Sequence, residues 1–478
     1  MLANLQVMKF GGTSVGDAGR IRGAAEIVAA AARRGAVVAV VSAMGGVTNR
    51  LVEAAHAAER GDALAAESLR AALVAQHAEA AESLISDALE RERTRVEVEA
   101  IIEETASLCR GTALLCELTP RALDAVSGAG ERLSARLVAG ALRELGVDAV
   151  AVDATELIVT DGEHGRAEPL MEETRTRASA RLAPLLERGA VPVVTGFIGA
   201  SQTGILTTLG RGGSDYSATI LGAALGASEI VIWTDVDGVM TADPRLVAGA
   251  RVINEISYSE AAELAYFGAK VLHPKTLRPV EEAAIPVWIR NSFRPEGRGT
   301  KITPTGNPAP GGVRAITAHT GVSLLTVGGS GIVDVPGSAA RTFAAVAEAR
   351  ANVLMISQAS SQNDICFVVA SPDAERAVAS LRRAFAFDLA HRQLDHINLG
   401  AEVAVVAVVG DRMRGTPGIA GRVFSALGAK GVNVIAIAQG SSEYNVSFVV
   451  AAREVRAAVG AIHTEFALDR PAFGTCKK

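Results

Sequence analysis

Leu5-Gln-Val-Met-Lys9-Phe-Gly11-Gly12-Thr-Ser-Val-Gly16, with the thirty residues that follow it, decides the fold. Residues 5–10 read as a strand ending in the turn Gly11-Gly12. Ala18 to Arg34 then carries apolar residues at helical spacing. Ala36 to Val41 is a β-branched run of the buried-strand kind, closing at Ser42 and Gly45-Gly46. Strand, loop, helix, strand implies a parallel sheet with a right-handed crossover. The pattern resumes downstream. Val147 to Val152 reads as a strand, Met171 to Arg188 contains a helix, and Val191 to Phe197 is a further strand. Ser214 to Gly226 is a helix and Glu229 to Thr234 a strand. From about Asn49 to Glu117 the Ala-, Glu- and Arg-rich pattern offers only helices. Alternation over some 300 residues makes one large α/β domain.

Thr303 to Gly312 is dense in Pro and Gly and reads as an interdomain linker rather than a loop within one domain. Beyond it lies an internal repeat with a constant offset. Pro336-Gly337 matches Pro417-Gly418, Arg341 matches Arg422 and Phe343 matches Phe424. Asn352-Val353 matches Asn433-Val434, Gln358 matches Gln439, and Phe367-Val368-Val369 matches Phe448-Val449-Val450. Each copy reads strand, Pro-Gly turn, helix, strand, polar turn, strand, helix: a small α+β unit, and two such units are expected to pair.

Bulk composition narrows the function. The 478 residues suit about three domains. A net charge of −5 and an aromatic content of 4% fit neither a nucleic-acid surface nor a polybasic membrane patch. Cys109, Cys116, Cys366 and Cys476 form no C-x-x-C pair and no zinc spacing, so reduced thiols are expected. No apolar run reaches a membrane span, and Lys9 is the only charge before Gly11. A cytoplasmic protein is therefore expected. Lysine is scarce: between Lys9 and Lys270 every fixed cation is arginine.

Neither G-x-x-x-x-G-K-[ST] nor a complete G-x-G-x-x-G occurs, which argues against a P-loop enzyme and against dinucleotide binding. Glycine loops nonetheless sit where strands should end, the place where open α/β sheets bind ligands. In Lys9-Phe-Gly11-Gly12-Thr-Ser, a cation and backbone N–H groups can meet a phosphate; an ordinary tight turn is the plain alternative. Ser42 and Thr48 offer hydroxyls around Gly45-Gly46. Gly210-Arg211-Gly-Gly-Ser214-Asp215 opens a helix with a guanidinium fork for a carboxylate or phosphate, and Asp215 sits in the first turn. Thr234-Asp235-Val-Asp237-Gly-Val-Met240-Thr-Ala-Asp243-Pro-Arg245 gathers three carboxylates that suit a ribose or metal-bound water, or simply an Asx-turn loop. Ser127-Gly-Ala-Gly-Glu131-Arg-Leu-Ser134 and Phe267-Gly-Ala-Lys270-Val-Leu-His273-Pro complete the set. His273 reads as a packed or capping residue.

Together these segments, with the paired repeats, resemble the aspartate kinases of the amino-acid kinase family, and the resemblance covers nearly the whole chain. It implies a three-layer α/β sandwich with a mainly parallel sheet at 1–302, including the helical segment at about 50–117. A linker at 303–314 would follow, then two α+β ACT (ferredoxin-like) units at 315–398 and 399–478, the C-terminal end completing the first. It implies phosphorylation of the β-carboxylate of L-aspartate by ATP with Mg²⁺, with no metal site built from protein side chains. In that reading Lys9 and Asp215 are catalytic, and Thr48, Glu131, Arg211 and Ser214 bind substrate. Lys9, Gly11, Gly12, Ser42, Thr234, Asp235, Met240, Arg245 and Lys270 serve the nucleotide. Met240 departs from a tyrosine common in relatives: it can pack on an adenine but cannot donate a hydrogen bond.

Pro336, Gly337, Asn352, Val353 and Gln358 would bind an amino-acid effector, threonine or lysine. A homodimer or higher oligomer through the ACT units is implied, with no nucleic-acid or membrane partner. No dehydrogenase domain follows residue 478, so a monofunctional chain is expected. Two other readings compete: a sister enzyme acting on glutamate, acetylglutamate or UMP, and an amino-acid sensor with an inactive kinase half. The tandem repeats and the Phe267-Gly-Ala-Lys270 segment weigh against the first. Intact Lys9, Glu131, Arg211 and Asp215 weigh against the second.

Overall fold

A computed structural model describes residues 4–268, 272–307, 312–329, 337–358, 364–411, 413, 416–438 and 444–470. The chain forms two compact units. The first comprises Met1–Val239, Asn254–Tyr258 and Val271–Gly306; the second comprises Met240–Ile253, Ser259–Lys270 and Asn307–Lys478.

Up to residue 303 the elements run β1 (Gln6–Phe10), α1 (Ala18–Ala32), β2 (Val37–Val41), α2 (Val47–Glu59), α3 (Ala65–Leu84) and α4 (Ala88–Leu115). Then come α5 (Pro120–Ser127), α6 (Ala129–Glu144), β3 (Ala149–Val152), β4 (Val159–Thr160), α7 (Met171–Glu187) and β5 (Val191–Thr195). Next are β6 (Ile198–Ser201), β7 (Leu206–Thr208), α8 (Gly213–Leu225), β8 (Glu229–Thr234), β9 (Glu255–Ser257) and α9 (Tyr258–Tyr266). Last come α10 (Arg278–Glu282), β10 (Val287–Asn291) and β11 (Thr300–Thr303). The main sheet of the first unit has the order β3-β5-β2-β1-β8-β10-β11-β9. Every neighbouring pair is parallel except β10–β11.

The β2 run Val37-Val-Ala-Val-Val41 is buried throughout because helices cover both faces of a parallel sheet. Along β1 the pleat sends Met8 and Phe10 into the core shared with α1 and α6, and Lys9 to the opposite face, against which α8 packs. Capping follows the sequence. The side chains of Asp17, Asp87 and Thr119 accept from first-turn N–H groups of α1, α4 and α5, and Pro120 fills the first turn of α5.

One expectation needs correcting. The run read as a single strand from Val191 to Phe197 stops at Thr195. Phe197 adopts φ 69°, a left-handed backbone that breaks the pleat, and a separate small sheet β4-β6-β7 begins at Ile198. Gly196 permits this turn. A Cβ there would come within 2.6 Å of Ser214 Cβ and 2.9 Å of its Cα, so the turn and the start of α8 could not both keep their places.

The second unit holds β12 (Ala315–Gly328), α11 (Ser338–Glu348), β13 (Val353–Gln358), β14 (Asp364–Ala370), α12 (Ser371–Ala384) and α13 (Ala386–Ala390). It continues with β15 (His396–Val409), α14 (Ile419–Ala429), β16 (Ala436–Ala438), β17 (Asn445–Ala451) and α15 (Val455–Glu465). Its six strands make one antiparallel sheet, β13-β14-β12-β15-β17-β16, in which the two repeats join through β12 and β15.

The repeat is exact enough to preserve geometry. Phe343 meets Phe367 edge-on at 5.7 Å, and Phe424 meets Phe448 at 5.8 Å. Arg341 lies over Phe385 at 4.4 Å and Arg422 over Phe466 at 4.1 Å. Gly337 and Gly418 start their helices at φ 93° and 92°. Matching cores form under each helix pair. No helix among the described residues is long and apolar enough to cross a membrane.

Candidate active site

The cleft of the first unit is built at the C-terminal ends of β1, β2 and β8, where parallel strands stop and backbone groups fall free. Gly11 N–H donates to Trp233 O at 3.2 Å, and Ser42 N–H to Phe10 O at 3.0 Å, tying three strand ends together. Two cavities open there. One of about 770 Å³ is lined by Gly12, Thr13, Ser42, Thr48, Glu131, Asp235 and neighbours. The other, of about 450 Å³, is lined by Lys9, Ser42, Phe197, Arg211, Ser214, Asp215 and the glycines between. Ser42 belongs to both.

Lys9 leaves the tip of β1 largely buried, and its Nζ lies 2.5 Å from Oδ1 of Asp215 in the first turn of α8. A fixed ammonium thus stands at the floor of the smaller cavity, held by a carboxylate from a different element. Gly11 leaves it room, since a Cβ there would lie 3.3 Å from Nζ. Arg211, exposed on the turn before α8, faces the same cavity and makes no ion pair among the described residues. Gly212 adopts φ 71° ahead of α8, and the helix begins at Gly213, whose N–H donates to Gly210 O at 2.9 Å; the N–H groups of Ser214 and Asp215 have no side-chain cap among the described residues.

Glu131, on α6, is 4% exposed and faces the larger cavity. Its Oε2 has no hydrogen-bond partner among the described residues. Burial pushes its carboxyl up to about 8, against the smaller opposing influence of the Ala43 and Glu131 N–H groups and the charge of Lys9. A buried carboxylate with an empty lone pair is poorly stabilised until a cation reaches it.

Surrounding contacts brace the Arg211 turn. Asp124 of α5, buried, accepts from His164 Nδ1 at 2.7 Å, from Thr208 Oγ1 at 2.6 Å, and from the N–H groups of Gly165 and Thr208. Tyr216 donates to Glu168, which pairs with Lys275 at 2.9 Å, and the Lys275 ammonium lies over the Tyr216 ring. His273 caps the short turn at Pro274 by accepting from Lys275 N–H. Burial first, then the charges of Arg211 and Lys275, lowers its pKa. None of Asp124, His164 and Glu168 stands out in the sequence.

Other expected site residues are dispersed. Thr234 ends β8 and donates to Asp235, which borders the larger cavity. Asp237 turns away to Asn291 and Arg294. Met240 and Arg245 belong to the second unit: Met240 bridges to Val252, and Arg245 is exposed and clasps Asp243 at 2.6 Å. The three carboxylates of this segment therefore do not converge, because each is taken by a local partner or stands alone. Lys270 and Pro336 lie outside the described residues. Gly337 starts α11, and Gln358 ends β13 on the sheet edge. Asn352 and Val353 stand at the other end of that strand, about 17 Å away by strand rise. Among the described residues no cluster of three or more His, Cys, Asp or Glu could hold a metal ion.

Sequence reading missed Phe293 and Arg20, which close the larger cavity with the guanidinium 4.3 Å over the ring. Phe293 follows the end of β10, and the rule that ligands gather at strand ends would have found it.

Residues 4–291 match the amino acid kinase family, and residues 325–385 and 406–466 each match the ACT domain. The chain is 36% identical to the chloroplastic bifunctional aspartokinase/homoserine dehydrogenase 1 of Arabidopsis thaliana over 97% of its own length and 51% of that protein. It spans about half the length of the bifunctional plant relatives it matches. It is 34% identical to chloroplastic aspartokinase 1 of A. thaliana, covering 96% of this chain and 80% of that one. Escherichia coli aspartokinase III, solved with aspartate and ADP, superposes with a TM-score of 0.79 at 32% identity, covering 97% of this chain and 99% of that one. The same enzyme has been solved with lysine and aspartate, at the same TM-score. With a kinase region and two ACT domains matched along nearly its full length, the chain belongs to the amino acid kinase family, in its aspartokinase branch.

Proposed function

We propose that the chain transfers the γ-phosphoryl group of ATP to the β-carboxylate of L-aspartate, giving 4-phospho-L-aspartate, the first step toward lysine, threonine and methionine. The observation that carries this reading is the buried Oε2 of Glu131, without a partner, in a cleft whose adjoining cavity holds an anchored ammonium and an uncommitted guanidinium. An amino acid with two carboxylates carries complementary groups for all three.

In this account Glu131 receives the substrate ammonium, Arg211 forks the α-carboxylate, and Thr48 and Ser214 supply hydroxyls. The β-carboxylate is ionised at neutral pH and attacks without a general base. Catalysis is then alignment and charge neutralisation. Lys9 meets the transferring phosphoryl, and Asp215 holds Lys9 in place until it does. The Gly11-Gly12 turn and the start of α8 line the phosphate path. Thr234 and Asp235 border the nucleotide. Mg²⁺ would arrive on the phosphates of ATP, as small hard cations commonly do.

The ACT units bind an end-product amino acid, threonine or lysine, near Pro336, Gly337, Asn352, Val353 and Gln358. Association of two or more chains through these units fits the exposed Ile356 and Ile437 on the two edge strands. The free thiols of Cys109, Cys116 and Cys366 fit a cytoplasmic location.

The test is hydroxamate formation with MgATP and a series of acceptors, with and without threonine and lysine. Aspartate should react and glutamate should not, and Lys9→Met should abolish turnover in a folded protein. Turnover with glutamate but not aspartate would overturn the assignment.

A further inference from the structure

Away from the cleft, the first unit holds another cavity, of about 520 Å³, and none of its lining residues borders the two described above. Its floor is made by same-face residues of three adjacent strands: Met8 of β1, Glu229, Val231 and Trp233 of β8, and Trp288 and Arg290 of β10. One side of α1 forms its wall. Both tryptophans of the chain are there.

Two buried donors in this floor lack an acceptor among the described residues: Nε1 of Trp233, a residue 3% exposed, and Nε of Arg290. The Arg290 guanidinium carbon lies 4.9 Å from the Trp288 ring centroid and 5.9 Å from that of Trp233. Glu229, the nearby acid on the floor, is already committed. It accepts from the Gln6 side-chain amide and from Trp288 Nε1 at 2.9 Å.

Buried N–H groups without acceptors are rare, and two on neighbouring strands, carried by residues that line one cavity, mark where an acceptor belongs. A guanidinium layered against indole faces keeps its donors in a plane that fits a carboxylate or phosphate. The volume falls within the span usual for small-molecule sites, roughly 300–1,000 Å³.

We propose that this cavity binds a small oxyanion-bearing metabolite. Its carboxylate or phosphate rests on Arg290 and the Trp233 N–H, and its apolar body lies along Trp288, Met8 and Ile27. The site is separate from the phosphoryl-transfer cleft and does not depend on the proposed activity.

Because the only two tryptophans line the cavity, intrinsic fluorescence of the full chain reads its occupancy. The probes are phenylacetate, phenyl phosphate and neutral benzyl alcohol, titrated at constant ionic strength. At least one anion should give a saturable change while benzyl alcohol gives none. Saturation by phenylacetate alone identifies a carboxylate site, and tighter saturation by phenyl phosphate identifies a phosphate site. Arg290→Gln should weaken the bound anion about tenfold or more through loss of the charged fork. Arg211→Gln, in the other cavity, should leave it unchanged within about twofold. Should Arg290→Gln not fold, Arg290→Lys, which keeps charge without the fork, must still weaken binding. Linear quenching by both anions, equal saturation by benzyl alcohol, or loss of the signal in Arg211→Gln would each overturn the proposal.

Discussion

Aspartate binding should release a proton from Glu131. In the empty cleft burial holds this carboxyl at about 8, so near neutral pH it is mainly protonated and only its ionised form can receive an ammonium. The substrate must therefore drive ionisation, and at pH 7 roughly 0.9 proton should leave for each aspartate bound. Apparent affinity scales with the competent fraction, so it should lie about 100-fold below its maximum at pH 6, about 11-fold at pH 7 and about twofold at pH 8. Neither the carboxylates nor the ammonium of free aspartate titrates in that interval, which leaves the signal to the protein. Isothermal titration in buffers of different ionisation enthalpy measures the released proton directly, and KM for aspartate from pH 6 to 8 measures its consequence. Heat independent of the buffer, together with a flat KM, would refute the reasoning. So would an unchanged pH profile in Glu131→Gln.

The same carboxyl predicts a stability effect of defined sign. Its folded pKa lies above the ordinary 4.5, so its favourable contribution is complete below about 4.5 and fades as pH rises toward about 8. Linkage over that window amounts to about 5 kcal/mol, so urea unfolding should show Glu131→Gln gaining on the parent between pH 5 and 8; a constant difference would count against it. Asp124→Ala removes the acceptor shared by His164, Gly165 and Thr208, and should cost about 3 kcal/mol in the same assay while raising KM for aspartate. Gln358→Ala should relieve inhibition by the effector amino acid and leave uninhibited turnover within about twofold, as substitutions at separate sites usually do. Equal loss of both would argue against a distinct effector site.

The parallel sheet was readable because its strands are short β-branched runs punctuated by glycine, and the repeat because its aromatic pairs recur at fixed offset. Phe343 with Phe367, and Phe424 with Phe448, now explain why those positions had to match. The break at Phe197 was not readable: Val191 to Phe197 is uncharged and mostly apolar, and the close approach of Gly196 to Ser214 that goes with the turn exists only in space. Within the site, Lys9, Glu131, Arg211 and Asp215 announced themselves by standing beside glycine turns. Asp124 and Glu168 gave no such sign, because a bracing carboxylate has no preferred neighbours in sequence, only in space. The acidic run from Asp235 to Asp243 misled for the converse reason. Closely spaced carboxylates looked like one cluster, yet Asp237 and Asp243 are each claimed by a nearby arginine.

A crystal structure of the chain with L-aspartate and ADP would bear most directly on the account. It should show the substrate ammonium on the now-occupied Oε2 of Glu131, the α-carboxylate forked by Arg211, and the β-carboxylate turned toward Lys9 Nζ. An aspartate bound with Glu131 still unpaired, or with its two carboxylates exchanged so that Lys9 meets the α-carboxylate, would contradict it.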